Sequence, residues 1–139
     1  MRNRSMAEVV QHREPVSLTI GTTVQEACLT LHERGASAAL VLEGTALRGI
    51  FTSGDAVKAL ALGLDPTRTA LGQAMTVDPC CLGAEDDALD ALRLMEDGGF
   101  GHVPVVRDGK PLGVVSWTDF TGQERLRREE ENDISETMR

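Results

Sequence analysis

Apolar positions recur with helical spacing twice along this chain. Val24, Ala27, Cys28 and Leu31 fall at i, i+3, i+4 and i+7, which lines one face of a helix, and the pattern ends at Gly35. The same spacing returns at Ala88, Ala91, Leu92 and Met95 and ends at Gly98 and Gly99. Behind each helix comes a continuous apolar run too short for a helix, at 38–42 and at 102–106. A turn follows each run, at 43–44 and 107–109, and then a second strand at 47–52 and 112–116. Each series closes on a further helix, expected at 55–62 and at 117–128. Each opens on a short extended segment, with a small helix expected at 6–11 and 71–75.

The two series are copies. Sliding the sequence on itself by 64 positions superposes Pro15 on Pro79, Leu18 on Leu82, Ala27 on Ala91, Gly35 on Gly99, Val41 on Val105, Gly49 on Gly113 and Asp55 on Asp119 without a gap. Similar residues fall on the same offset, such as Ile50 with Val114 and Thr52 with Ser116. One unit of roughly fifty residues buries too little surface to be stable alone. The expectation is therefore an α+β fold in which two helix-strand-strand-helix units pack around a pseudo-twofold axis, with clefts between them. The first repeat is placed at 7–63, the second at 71–121, and a charged tail at 122–139 that prolongs the last helix. Pro66 marks the linker, where the preceding helix cannot continue.

Composition narrows the function classes. Fourteen Lys and Arg face 22 Asp and Glu, for a net charge of −8, and aromatic residues make up 3%. Nucleic-acid binding needs a basic groove or stacking platforms and is disfavoured. The longest apolar run falls far short of the ~20 residues of a membrane span. With no apolar leader at the N-terminus, a cytoplasmic protein is expected. Three cysteines and three histidines show no metal-ligand spacing, and no nucleophile–base pair or phosphate loop is present, so neither a metal site nor catalysis is expected. Cys80 and Cys81 lie at the offset images of Val16 and Ser17 and read as two small packed residues.

The segments Gly49-Ile-Phe-Thr52-Ser-Gly-Asp55 and Gly113-Val-Val-Ser116-Trp-Thr-Asp119 share the form Gly-apolar-x-(Thr/Ser)-x-x-Asp, each at a strand end and helix start. With Phe100-Gly-His-Val-Pro104 ahead of the second, the chain resembles the tandem cystathionine-β-synthase (CBS) domain pair, or Bateman module, here as a stand-alone protein. The resemblance implies a non-catalytic regulatory sensor that binds an adenosine-containing ligand, such as AMP, ADP, ATP or S-adenosylmethionine, in the cleft between repeats. It implies further that Thr52 with Asp55, and Ser116 with Asp119, meet the ribose. A carboxylate suits that task because it can accept hydrogen bonds from both vicinal hydroxyls. The same residue types also make a helix capping box, and both roles can coexist.

By the same resemblance, the residue before the first helix and a small residue within it line the cleft that uses the other repeat's ribose motif. These are Thr22 and Ala27 in the first copy and Asp86 and Ala91 in the second. The cleft of Thr22, Ala27, Ser116 and Asp119 is the preferred site, with His102 facing the phosphates and Pro104 at the family's usual proline position. The other cleft, with Asp86, Thr52 and Asp55, carries two carboxylates and is expected to stay empty or take an uncharged nucleoside. Three quarters of the −8 lies at 71–121, where Glu85, Asp86, Asp87 and Asp90 suit a helix N-terminus. A homodimer is implied, with Trp117 at its seam or over the cleft mouth. The alternative is a ligand-free module acting on an unidentified protein target through its dimer face.

Overall fold

The computed structural model describes residues 3–137, with side chains through residue 130. Two sheets carry the two repeats. In the first, β1 (Ser17–Thr19) lies parallel to β2 (Ala38–Glu43), β2 forms a hairpin with β3 (Ala46–Thr52), and β4 (Thr76–Val77) adds antiparallel to β3. In the second, β5 (Leu82–Gly83) lies parallel to β6 (His102–Arg107), which pairs with β7 (Lys110–Ser116). The sequence offset survives in the strand register: Ala38 faces Thr52 as His102 faces Ser116. Both hairpins also slip at the same place, between Val41 and Leu42 and between Val105 and Val106. This is the mixed α+β pair of repeated units that the apolar pattern predicts.

Helices α2 (Val24–Arg34) and α5 (Ala88–Gly98) begin and end by matching devices. Thr23 and Glu26 form a capping box at the start of α2, as Asp87 and Asp90 do at α5, so the acidic cluster of the second repeat opens on a helix N-terminus. Gly35 and Gly99 end them in the left-handed conformation, at φ +62° and +70°, where a Cβ would be strained. Their apolar stripes are buried: Val24, Ala27 and Leu31 on α2, and Ala88, Ala91, Leu92 and Met95 on α5.

The short helices are exchanged between the repeats, which the sequence pattern does not reveal. Although α1 (Met6–Val10) opens the first repeat in the sequence, Met6, Val9 and Val10 pack into the core of the second, with Leu92, Val105 and Phe120. The α4 helix (Leu71–Ala74) leads into the second repeat, yet Leu71 lies in the core of the first, with Val24, Val41 and Phe51. Backbone hydrogen bonds anchor each at its adopted site: Met6 N–H to Asp86 O at 2.8 Å, and Leu71 N–H to Thr22 O at 2.8 Å. Each connector crosses its sheet at the motif glycine. A Cβ on Gly49 would lie 2.6 Å from the Thr76 carbonyl oxygen and 2.5 Å from Met75 Sδ, and one on Gly113 would lie 2.9 Å from Val10 Cβ.

After β3 the chain forms α3 (Ser53–Ala61), close to expectation. The end of the second repeat departs from the expected continuous helix at 117–128. A single 3-10 turn at Trp117–Asp119 gives way to extended Phe120, whose side chain is buried in the second core. Helix α6 (Gly122–Thr137) then starts afresh. Thr121 caps it: its hydroxyl accepts from Glu124 N–H at 3.1 Å, and Glu124 Oε1 accepts from Thr121 N–H at 2.8 Å. Burying Phe120 breaks the helix, and the Thr-x-x-Glu box restarts it. The expected tail is thus helical through residue 137 and packs on α5, where Arg128 pairs with Glu96 at 3.1 Å.

Candidate functional site

Two clefts open along the seam between the repeats, and they are images of each other under the sequence offset. The first, of about 350 Å³, joins the end of β3 (Ile50, Thr52) to Pro79 and Cys80 before β5 and to Phe100 and His102 at the start of β6. The second, of about 190 Å³, joins the end of β7 (Val114, Ser116) to Pro15 and Val16 before β1 and to Ala36 and Ala38 at the start of β2. Each is therefore built from one repeat's (Thr/Ser)-x-x-Asp strand end and the other repeat's entry strands.

The two motif carboxylates do the same local work with different partners. Asp55 Oδ2 accepts from Thr52 N–H at 2.9 Å while the Thr52 hydroxyl accepts from Asp55 N–H at 3.2 Å, a complete capping box for α3. Its other oxygen accepts from the Thr76 hydroxyl at 3.1 Å. Asp119 Oδ2 accepts from Ser116 N–H at 2.7 Å. There, however, the other oxygen meets Arg13 Nη1 in a salt bridge of 2.9 Å. The Arg13 side chain remains 44% exposed, so its guanidinium can exchange partners. Asp119 lines the smaller cleft together with Arg13, whereas Asp55 opens onto a hollow between α3 and α4 on the outer side of the first repeat.

His102 lies on the seam and lines both clefts. Its Nε2 shares a 2.8 Å hydrogen bond with the Ser37 hydroxyl of the other repeat. Burial lowers its pKa below the usual histidine value, and the Asp119 carboxylate offsets part of that effect.

Other expected site residues lie elsewhere. Because β1 runs parallel to β2, Thr22 follows the strand end beside Leu42, far from Ala38 and the cleft. There its hydroxyl bonds that of Thr19 at 3.1 Å, and its carbonyl accepts from Leu71 N–H. Ala27 is fully buried in the first core, facing the sheet. The expected union of Thr22 and Ala27 with Ser116 and Asp119 is thus corrected: the entry segment at Pro15 and Val16 takes their place. Asp86 does not enter the Thr52 cleft either. Its carboxylate accepts from Gly83 N–H at 2.7 Å, so that cleft is lined by no carboxylate, contrary to the expected two. Pro104 is buried within β6, opposite Val114, and lines neither cleft.

Cys80 and Cys81 are both exposed, which corrects their reading as packed residues, and Cys80 forms part of the larger cleft. Trp117 is 39% exposed, with the Arg125 guanidinium over its ring at 5.4 Å. Sequence reasoning missed Arg13, Thr76, Cys80 and Phe100. The available signal was the offset itself: sliding Pro79-Cys80 and Phe100 onto Pro15-Val16 and Ala36 marks the entry segments as paired positions. Among the described residues, no group of three or more His, Cys, Asp or Glu could hold a metal, and no helix is long and apolar enough to cross a membrane. Chemically, the smaller cleft offers hydroxyl, carboxylate, guanidinium and imidazole within one concavity. The larger offers hydroxyls, a thiol, a phenyl ring and the same imidazole.

The chain is similar to known proteins in sequence and in fold. The meiotically up-regulated gene 70 protein of Schizosaccharomyces pombe is 34% identical over 131 residues, covering 93% of this chain and 18% of that protein. The CBS domain-containing protein CBSCBSPB3 of Arabidopsis thaliana is 38% identical over 106 residues, covering 73% of this chain and 19% of that protein. The chain thus spans about a fifth of these curated relatives. A CBS domain protein from Pyrobaculum aerophilum, solved in complex with AMP, has the same fold, with a TM-score of 0.81 at 22% identity over 91% of this chain and 99% of that one. The CBS domain pattern itself matches twice, at residues 7–62 and 71–123, and with the doubled register and the two image-related clefts it places this chain in the CBS domain family, as a tandem pair.

Proposed function

We propose that this CBS pair is a non-catalytic sensor that binds a phosphate-bearing adenosine ligand in the Ser116 cleft. The observation that carries the reading is the 2.9 Å pair of Arg13 with Asp119, beside Ser116 and His102, in a cleft to which both repeats contribute. In this reading the ribose hydroxyls donate to Asp119, and Arg13, released from the carboxylate, turns to the phosphate as a charge-assisted donor. The AMP complex of the Pyrobaculum aerophilum protein supports the ligand class.

Size and charge favour different clefts, since the larger hollow is the uncharged one. Charge decides for a phosphate ligand, because against a net charge of −8 a phosphate needs a local cation. The Arg13–Asp119 pair also narrows the smaller cleft, and its opening makes room. The Thr52 cleft, with hydroxyls and Phe100, suits an uncharged nucleoside.

The test is thermal melting and calorimetry with AMP, ATP, S-adenosylmethionine and adenosine, since a ligand of the native state raises Tm by mass action. Asp119→Ala is expected to lose AMP binding. Asp55→Ala is expected to keep most of it, and Arg13→Ala to weaken AMP about tenfold or more while sparing adenosine. No melting shift at millimolar nucleotide, or equal losses from Asp119→Ala and Asp55→Ala, would refute the assignment. A second reading rests on the outer face of α2 and α3, where Leu29, Val57 and Leu60 are 55–66% exposed. A module that binds no ligand and docks a protein there would give a partner complex and no melting shift.

A further inference from the structure

We propose that His102 couples the two clefts, so that filling the Ser116 cleft alters the Thr52 cleft across the seam. This rests on the reading that the Ser116 cleft takes a phosphate-bearing ligand. Three observations carry it. The imidazole lines both cavities, so neither can be filled without meeting the same ring. Its one described hydrogen bond, Nε2 to Ser37 Oγ at 2.8 Å, ties it to the opposite repeat and leaves Nδ1 for a ligand or water. The image positions, Ala38 for His102 and Gly101 for Ser37, can form no such bond, so this polar bridge has no twin and a single ring serves both clefts.

The groups around the ring give the direction. Asp119, Arg13 and Glu14 line the Ser116 cleft with it, and Cys80 lies across the Thr52 cleft. The ring is half-buried, and that burial holds its pKa below the usual histidine value. A phosphate in the Ser116 cleft stabilises the imidazolium, so binding takes up a proton and draws the ring toward that cleft. The Thr52 cleft then loses a polar wall. An uncharged nucleoside draws no proton and produces no such shift. The coupling is thermodynamic, so it must be reciprocal.

Cys80 provides a reporter in the Thr52 cleft. With Cys28→Ser and Cys81→Ser in the full chain, Cys80 is labelled with a small trifluoromethyl thiol reagent, which also occupies that cleft. Its fluorine resonance is followed while AMP is titrated, and saturation of each form is verified by calorimetry. The resonance is expected to shift in step with the heat in the parent and to stay fixed in His102→Ala at its own saturating AMP concentration. Separately, between pH 8 and pH 6, AMP affinity in the unlabelled parent is expected to rise about fivefold more than in His102→Gln, a comparison that cancels the ligand's own phosphate titration. AMP binding with no fluorine shift in the parent, or an equal shift in His102→Ala, overturns the coupling while leaving the binding site standing. Absence of any AMP heat overturns the underlying site as well, and the calorimetry shows which has failed.

Discussion

Gly49 and Gly113 show how single positions hold this molecule together. In the repeated motif each glycine lets a connector pass over the sheet at contact distance, a closeness that even one methyl group prevents. The two differ in what they meet. At Gly49 the obstacle is the Thr76 carbonyl together with Met75 Sδ, whereas at Gly113 it is the Val10 side chain. Backbone cannot step aside as a side chain can. Gly49→Ala is therefore expected to cost about 2–3 kcal/mol and Gly113→Ala about 1–2 kcal/mol, in the range of other overpacked sites. In a chain of this size each kcal/mol lowers Tm by about 3–5 °C, so calorimetric melting of the two variants resolves the difference. Both glycines could be read in the sequence as motif members at matching offsets. Their reason could not, because it lies in chain segments distant in sequence.

At the scale of elements, α6 is held by a contact that spans nearly the whole chain. Arg4 donates to both oxygens of Glu124, at 2.7 and 3.1 Å, and to the Asp119 carbonyl at 2.9 Å, fastening the N-terminal segment to the first turn of α6. The hydrogen bond from Arg4 holds the Glu124 carboxyl below the usual carboxylate range, against the opposing effect of its burial. A carboxylate with a depressed folded-state pKa contributes stability that is complete above its unfolded pKa and is lost as pH falls through the folded value. Arg4→Ala should thus lower stability at neutral pH and flatten the acid limb, which urea melts at neutral and acidic pH can measure. Thr121→Ala removes the cap and is expected to cost about 1 kcal/mol, and it flattens that limb less than Arg4→Ala because the Thr121 side chain lowers the Glu124 pKa less than Arg4 does. The helices and hairpins were legible from periodicity and turn residues because those signals are local. The break at Phe120 was also written locally, in Thr121-Gly-Gln-Glu124, but the apolar and charged run around it reads equally well as a continuous helix until Phe120 is known to be buried.

For the whole molecule, the pseudo-twofold pair and its two clefts followed from the offset, whereas the lining of the clefts did not. Which strand end meets which entry segment depends on the direction of β1 beside β2, and a sequence carries no direct sign of that. Hence Ser116, Asp119, Thr52 and His102 line the seam clefts, while Thr22, Ala27, Asp55 and Pro104 do not. The exchange of α1 and α4 gives a further expected outcome. Removing the segment through Val10 strips Met6, Val9 and Val10 from the second core. Hydrogen exchange should then accelerate in α5 and β6 rather than in α2 and β2, although the cut is made at the start of the first repeat. Faster exchange confined to the first repeat would contradict the exchanged packing. The same exchange puts the unit that was duplicated out of step with the unit that folds, by one helix. A chain reduced to a single repeat would carry a lead helix with no sheet of its own to cover, beside a core that lacks one. Two such chains could satisfy each other by trading helices, so a fragment cut at the repeat boundary should assemble as a swapped pair.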